Sequence, residues 1–250
     1  MELWQLALLV ATGLVAGFLN VTAGGGSLLT VPVMVFMGVP GPVANGSNRI
    51  AILAQSITAV GAFFRRGFAD FRLSLTLACC AVPGALLGAS LGVRLEGIWF
   101  ERVLALVMIA VLLLMIFGDQ RERPDNGGEP SRRQLLLGHI CMVGVGFYGG
   151  FIQVGVGFII MPVLHRVMGL DLLRTNMHKV FIVMSYSAAA LLVFAARVEI
   201  LWTAGLALAL GNSIGGWVSA NLQLNRGDGL IKMVLNVVLV AFIIKLLFFH

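Results

Sequence analysis

Apolar runs of about 20 residues follow one another along almost the entire chain, and they constrain its fold more than any other feature. A helix needs about 20 apolar residues to cross the roughly 30 Å hydrocarbon core of a bilayer. With 59% apolar and 11% charged residues among 250, the chain has more apolar surface than one soluble core can bury. The sequence therefore predicts an all-α polytopic membrane protein surrounded by the lipid bilayer.

Two glycine-bearing breaks interrupt these apolar runs. The first break is Asn20–Ser27 and the second is Gly150–Gly157, and each precedes a short apolar segment that contains a proline. Irregular backbone at membrane depth is tolerated only where protein or a water-filled cavity satisfies its amides. The breaks are therefore predicted to interrupt helices inside the protein. Each break is followed by a short segment, 28–39 or 156–164, that is too short to cross the bilayer alone.

The breaks belong to an internal repeat with an offset of 130 residues. At this offset Gly25 falls on Gly155, Pro32 on Pro162, Arg49 on Lys179 and Phe64 on Phe194. Each half is predicted to hold about five helical segments, with the first half over 1–117, a linker over 118–134 and the second half over 135–250. The ten predicted segments are 3–19, 28–39, 47–64, 73–95, 98–117, 135–151, 156–164, 180–196, 201–222 and 230–249.

The distribution of Lys and Arg predicts how the two halves are oriented. If the halves are inverted, one face of the membrane receives twelve of these cations and the other receives five, whereas parallel halves give nine and eight. Cytoplasmic loops carry the excess of positive charge. We therefore expect inverted repeats, a cytoplasmic linker and both termini outside. The net charge of +6 sits in short loops at helix ends, so nucleic acid is not expected as a partner.

The first break has the composition of an anion-binding backbone. Glycine permits unusual backbone angles and leaves no side chain, so consecutive amides of Gly24, Gly25, Gly26 and Ser27 are expected to converge on one point. The positive end of the short helix that follows points at the same place, and Ser27 is predicted to cap that helix. The alternative is that these glycines only permit close helix crossing.

Two cations follow the breaks at matched positions. Arg49 ends a polar cluster at the expected start of the third segment, and Lys179 does so in the second half. They are interpreted as two electrostatic gates for an anion, one near each face. The alternative is that they are ordinary helix-end cations whose charged groups reach the membrane surface. The remaining candidate substrate-binding residues are polar or glycine positions in or near the breaks: Asn20, Ser47, Asn48, Gln55, Gln153, Gly155, Gly157, Asn176 and His178.

Several kinds of chemistry are not supported by the sequence. All eleven carboxylates fall in loops or at segment ends, so no proton relay of Asp or Glu is expected in the membrane. No phosphate-binding GxxxxGK[ST] motif occurs, and no His or Cys has metal-ligand spacing. The sequence thus predicts no cofactor, no metal and no enzymatic activity.

The stretch Gly17–Pro32, together with Ser47-Asn48-Arg49 and Gly84–Gly92, resembles the TauE/SafE family of membrane transporters, also called sulfite exporters. The resemblance implies export or exchange of sulfite, sulfonates or related organic anions across the bacterial cytoplasmic (inner) membrane. The family's glycine motif maps onto Gly24, Gly25, Gly26 and Pro32. The second copy of the motif is weaker. Val154–Gly157 stands where the family has a glycine triplet, and Met177-His178 stands in place of the polar pair that the first half has as Ser47-Asn48.

The sequence thus favours a secondary transporter for a small anion, working by alternating access around the two breaks. The alternative is a non-transporting membrane assembly or interaction subunit in which the breaks only permit tight packing. A hydrated cavity between the breaks favours the transporter, and a dry, packed interface favours the assembly subunit. The sequence leaves open whether the chain forms a homodimer.

Overall fold

The computed structural model describes residues 1–67, 70–95, 97–117 and 130–226, and this part of the chain is all-α. Within the described residues, four helices are long and apolar enough to cross a membrane: Leu3–Thr22, Phe71–Gly92, Arg132–Phe151 and Leu172–Arg197. Most of the predicted linker and the predicted segment 230–249 lie outside the described residues. The helices are α1 (Leu3–Thr22), α2 (Ser27–Phe36), α3 (Gly41–Arg65), α4 (Phe71–Gly92), α5 (Gly97–Phe117), α6 (Arg132–Phe151), α7 (Gly157–Pro162), α8 (Leu172–Arg197) and α9 (Trp202–Arg226).

Two helices begin earlier than the sequence predicted. The third segment was expected from Ser47, but α3 begins at Gly41, directly after a proline. The eighth was expected from Val180, but α8 begins at Leu172, where the Asp171 side chain accepts a hydrogen bond from the Arg174 amide at 2.6 Å. The polar residues that suggested loops belong instead to the first turns of long helices, where they are buried by contacts with the other half.

The first two helices of each half form hairpins that fold back on themselves. The start of α2 lies against Ala16 and Asn20, so α2 runs back along α1. In the second half, Met168 lies against Gly138 near the start of α6, so α7 and the π-helical turn Val163–Val167 run back along α6. Each break is thus the bend of a hairpin, and both hairpin bends are buried.

Pairs of parallel helices join the two halves. Gly13 of α1 lies against Leu208 of α9, and further along both helices the Thr22 and Ser219 hydroxyl groups share a hydrogen bond of 2.6 Å. The equivalent pair, α4 and α6, is also parallel, with Gly84, Gly88 and Gly92 against successive turns of α6. Because these glycines have no side chain, the helix backbones come into direct contact.

The third helices of the two halves, α3 and α8, are antiparallel to each other. Arg49, early in α3, lies against Phe194, late in α8. Phe63, late in α3, shares a buried cluster with Met177 and Val180, early in α8.

These directions define two faces of the bundle. One face carries exposed Trp4, Trp99 and Trp202 at the starts of α1, α5 and α9, and we call it the tryptophan face. The opposite face holds the end of α3 and the starts of α4, α6 and α8, and we call it the linker face. Tryptophan side chains favour the membrane–water interface, so exposed rings at three helix starts place that boundary at the tryptophan face.

Candidate functional site

The two glycine breaks touch each other inside the bundle. A Cβ atom on Gly24 would overlap the backbone of Gly157, and a Cβ on Gly157 would overlap the backbone of Gly24. Gly24 also has a φ of 84°, a left-handed conformation that side chains with a Cβ rarely adopt. The first break therefore needs glycine at this position for both its bend and its close contact.

Ser27 connects the two breaks by hydrogen bonds. Its hydroxyl donates to the Gln153 carbonyl at 3.3 Å and accepts from the Gly155 amide at 3.2 Å. The predicted role of Ser27 as a helix cap is wrong, because Gly26 precedes the first residue of α2 and no side chain caps that helix. Ser27 instead contacts the second break, where its hydroxyl supplies an acceptor for the Gly155 amide.

Three successive amide groups of the first break have no acceptor among the described residues. The Gly24 amide bonds to the Leu19 carbonyl at 3.0 Å, but the amides of Gly25, Gly26 and Ser27 make no hydrogen bond within this part of the chain. Buried amides are nearly always paired, so a run of three is unusual. Convergence of these N–H groups on a bound anion stays a prediction of the glycine-rich sequence.

Arg49 binds the end of the broken helix of the other half. It is the ninth residue of α3 and is fully buried. Its guanidinium donates to the Gly149 carbonyl and the Gln153 side-chain oxygen, both at 3.1 Å, and to the Gly150 carbonyl. The last carbonyls of a helix carry partial negative charge, so the cation stabilises the point where α6 is interrupted.

Lys179 makes the equivalent contacts with the first half. It is the eighth residue of α8, and its ammonium donates to the Val21 carbonyl at 2.8 Å and to the Asn176 side-chain oxygen at 2.6 Å. Asn176 in turn donates to the Thr22 carbonyl at 3.2 Å. In the first half, the side-chain amide of Asn45 makes a similar contact with the Phe151 carbonyl at 2.9 Å, although Asn45 and Asn176 are not at equivalent positions of the repeat. Each half therefore caps the broken helix of the other.

The prediction that both cations lie at helix ends is wrong, and so is the alternative that their charged groups reach the membrane surface. Arg49 is 0% exposed and Lys179 is 2% exposed, about two turns inside their helices. Among the described residues, neither cation has a carboxylate within ion-pair distance, whereas Arg174 lies 3.9 Å from the Asp70 carboxylate. Within the described part of the chain, these two buried cations contact carbonyl and side-chain amide oxygens and no carboxylate.

The remaining predicted site residues are all buried around the breaks. The Asn20 amide donates to the Gln55 side-chain oxygen at 3.3 Å, and the Ser47 hydroxyl accepts from the Leu201 amide at 2.9 Å. His178 Nδ1 hydrogen-bonds the Ser74 hydroxyl at 2.8 Å, whereas His178 Nε2 has no partner in the described part. Neither polar atom of Asn48 has a partner there either.

Sequence reasoning did not single out several polar residues that complete this network. The Ser187 hydroxyl accepts a hydrogen bond from the side-chain amide of Gln153 at 2.8 Å, and the Gln223 side-chain oxygen accepts one from the side-chain amide of Asn176 at 2.8 Å. Each stands in an apolar helix, which is the only signal the sequence offers. Gln153 itself has a φ of 62°, an uncommon conformation for a residue other than glycine. Its side-chain bonds to Arg49 and Ser187 hold that conformation.

A polar, positively charged centre enclosed by apolar helices defines a multi-pass membrane protein built around an internal site. Residues 9–246 match the sequence model of the family described as Sulfite exporter TauE/SafE. The chain therefore belongs to the TauE/SafE family, as the sequence motifs indicated. No solved structure matches the chain.

The relatives of the chain carry transporter names. It is 30% identical over 245 residues to "Probable membrane transporter protein ORF9" of Sinorhizobium sp, covering 97% of this chain and 92% of that protein. It is 26% identical to a "Probable membrane transporter protein" of Haemophilus influenzae, covering 91% and 88%. It is 25% identical to "Probable membrane transporter protein YfcA" of Escherichia coli K12, covering 97% and 90%. The chain is therefore a membrane transporter and not an enzyme, although the direct contact between Gly24 and Gly157 is the packed interface that the assembly-subunit alternative predicted.

Proposed function

We propose that this transporter moves a small sulfur-containing anion, such as sulfite, a sulfonate or a related organic anion, out across the bacterial cytoplasmic membrane by alternating access around the two breaks. The observation that carries this proposal is the pair of buried cations, Arg49 and Lys179, one at each break and both without a carboxylate partner among the described residues.

The energetics of burial favour an anion over other substrates. Removing a cation from water costs several kcal/mol even after relaxation, and dipoles offset only part of that cost. An anion that enters the site supplies the negative charge that offsets the rest of this cost. It is therefore attracted to the breaks, whereas a cation is repelled. The free amides of Gly25, Gly26 and Ser27 add donors suited to sulfite or sulfonate oxygens.

The relation between the halves supports alternating access. We propose that they are inverted repeats, because the equivalent helices α3 and α8 are antiparallel and each half caps the other's broken helix. Many secondary transporters place their substrate near the midplane between such repeats. The positive-inside rule then makes the linker face cytoplasmic, since it holds the larger number of Lys and Arg.

The close contact between Gly24 and Gly157 represents a closed arrangement of the site. A dry contact is also what tight packing alone would produce, but packing alone gives no reason to bury two uncompensated cations beside it. In the transport cycle, the hairpins separate at this contact to admit the anion. The hydrogen bonds of Ser27 to the second break are few enough to break and reform during each cycle.

The test is flux into proteoliposomes that hold the purified chain. Sulfite, sulfate, taurine and sulfoacetate are offered one at a time under imposed pH and voltage gradients. We expect saturable flux of at least one sulfite or sulfonate substrate, and loss of that flux in Arg49→Met and Lys179→Met.

The matched control is Arg66→Met, which removes an exposed cation at the linker face and should leave flux unchanged. Well-folded protein that moves none of the four anions would contradict the proposed substrate class. Equal flux by Arg49→Met, Lys179→Met and the unaltered chain, at matched protein levels, would contradict the assigned role of the buried cations.

A further inference from the structure

Donors of this chain occupy the carbonyl end of the broken helix α6. Residues 148–151 supply its last four carbonyls, which have no partners inside a helix. The first accepts hydrogen bonds from backbone amides just past the helix, the next two accept from Arg49, and the last accepts from Asn45. All four carbonyls at this helix end are therefore already bound.

The end of the broken helix α1 is filled in nearly the same way. Residues 19–22 supply its last four carbonyls. The first accepts from backbone amides of the first break, and the last two accept from Lys179 and Asn176. The Asn20 carbonyl has no donor in the described part of the chain. Most of the partial negative charge at the two helix ends is therefore bound by side chains and amides of the protein itself.

These helix ends are places where other transporters bind a cation. In transporters with broken helices, carbonyls at such ends coordinate the ion that is coupled to transport. Here the Arg49 guanidinium and the Lys179 ammonium bring a full positive charge, and each contacts at least two oxygen atoms. A metal cation would need the same oxygens as ligands. The two side chains therefore hold the positions that coupling cations take elsewhere.

Each of the two cations also keeps a donor for the substrate. Nε of Arg49 has no partner among the described residues. The Lys179 ammonium has three N–H groups but two acceptors there. Each side chain can therefore hold a helix end and contact an anion at the same time, as a coupling cation does.

The oxygen atoms that remain free do not favour a metal cation. The side-chain oxygens of Asn45 and Asn48 lack partners in the described part, but both residues lie within one turn of Arg49 on α3. The positive charge of Arg49 repels a metal cation at such a distance. Within the described residues, no group of three or more His, Cys, Asp or Glu could hold a metal ion. The site thus attracts anions and opposes a metal cation.

We propose that Arg49 and Lys179 take the place of coupling cations, so that the anion crosses without a co-transported metal cation and the membrane voltage drives it. Both positive charges belong to the chain and return with it in each cycle, so the net charge moved is that of the anion alone. This inference rests on the proposed anion transport, and it adds the driving force.

The membrane voltage is sufficient for export. Cells keep the cytoplasm electrically negative, which drives an anion outward. A voltage of about 100 mV supports a concentration ratio of about fiftyfold for each charge that the anion carries. Such a transporter exports its substrate against a concentration difference without using a cation gradient.

The first arm of the test measures flux in proteoliposomes under a tenfold gradient of sulfite, sulfate or sulfoacetate, with equal pH on both sides. Net flux should stop at about 59 mV for an anion with one charge and at about 30 mV for an anion with two. Replacing Na⁺ by choline on both sides should change neither the rate nor this reversal voltage. Flux that does not respond to voltage, or a reversal voltage that follows an imposed Na⁺ gradient, would overturn the proposal.

The second arm needs no transported substrate and compares thermal unfolding in sodium chloride and choline chloride. The unaltered chain should have the same Tm in both salts. Lys179→Ala empties the place beside the Val21 carbonyl, so Na⁺ should bind there and raise the Tm of this variant above its value in choline. The control Lys179→Met fills the same space and should show no difference between the salts.

Arg49→Ala repeats this measurement at the other break, in case Lys179→Ala does not fold. Equal Tm values in both salts for a folded alanine variant would overturn the assignment of these side chains to cation positions. A Tm of the unaltered chain that rises with Na⁺ would overturn it as well, because the helix ends would then still bind a metal cation.

The two arms separate this inference from the proposed function. If none of the three anions moves while Lys179→Ala becomes more stable in Na⁺, the sulfur-anion proposal fails and the assignment of the cation positions stands. If anion flux is saturable but requires Na⁺ in the unaltered chain, the inference fails and the proposed transport stands.

Discussion

Alanine at Gly24 tests whether the two breaks must touch for the protein to fold and transport. Two effects act at this position: a φ of 84° and contact with the Gly157 backbone. The chain offers a control for each effect. Gly38 has a φ of 83° with no atom within 4 Å of an added Cβ, and Gly157 has the contact without a positive φ. Gly61 lies inside α3 with neither.

The magnitudes follow from these environments. A left-handed residue with a Cβ costs about 1–2 kcal/mol, and its smaller unfolded-state entropy returns about 0.4–1 kcal/mol, so Gly38→Ala should cost about 1 kcal/mol. Overpacking costs about 1–3 kcal/mol, which is the expectation for Gly157→Ala. Gly24→Ala combines both terms and should cost about 2–4 kcal/mol. Gly61→Ala should stabilise the protein by about 0.5–1 kcal/mol, because alanine favours helix.

The assay is thermal unfolding of each purified variant in the same detergent, followed by flux in proteoliposomes. A change of 1 kcal/mol shifts Tm by about 2–4 °C for a chain of this size. We expect Tm to fall in the order Gly61→Ala, unaltered chain, Gly38→Ala, Gly157→Ala and Gly24→Ala, and flux to be lost only in the last two.

The double variant Gly24→Ala/Gly157→Ala checks the contact itself. Once one Cβ has forced the backbones apart, the second adds less than its full cost. The double variant should therefore lose less stability than the sum of the losses in the two single variants. Equal Tm values for Gly24→Ala and Gly38→Ala, or strict additivity in the double variant, would refute the reasoning that the breaks touch.

Three further variants probe the polar contacts. Ser27→Ala removes two hydrogen bonds between the breaks and should lower stability by about 1–2 kcal/mol in thermal unfolding. The control is Ser185→Ala. The Ser185 hydroxyl donates only to a carbonyl one turn back in its own helix, so its loss should change stability by less. Thr22→Val loses the contact with Ser219 and should cost about 1 kcal/mol, and an unchanged Tm would contradict that role. Arg49→Lys keeps the positive charge but loses the pair of hydrogen bonds that the guanidinium donates to the Gly149 and Gly150 carbonyls, so flux should fall at least about tenfold. Flux equal to that of the unaltered chain would show that charge alone suffices.

Much of the architecture was predictable because membrane insertion leaves few choices. Long apolar runs must become helices, since lipid offers no partner for backbone amides. The glycine breaks were recognisable for the same reason, whereas the repeat with an offset of 130 residues stays a prediction. Helix starts were less predictable: α3 and α8 each begin with polar residues that resemble loops in sequence. Asn45 and Asn176 become compatible with a membrane helix only because the other half offers them carbonyl partners.

The sequence by itself determined the class of the protein, its family and the residue types at its centre. These conclusions need only local chemistry, because the effects of hydrophobicity, glycine and charge on a segment do not depend on which distant residues it contacts. The tertiary structure alone decided that Arg49 serves the second break and Lys179 the first, that Ser27 bridges the breaks, and that Phe194 is buried while Phe64 is exposed. These facts depend on contacts between residues 100 or more positions apart, which no local pattern records.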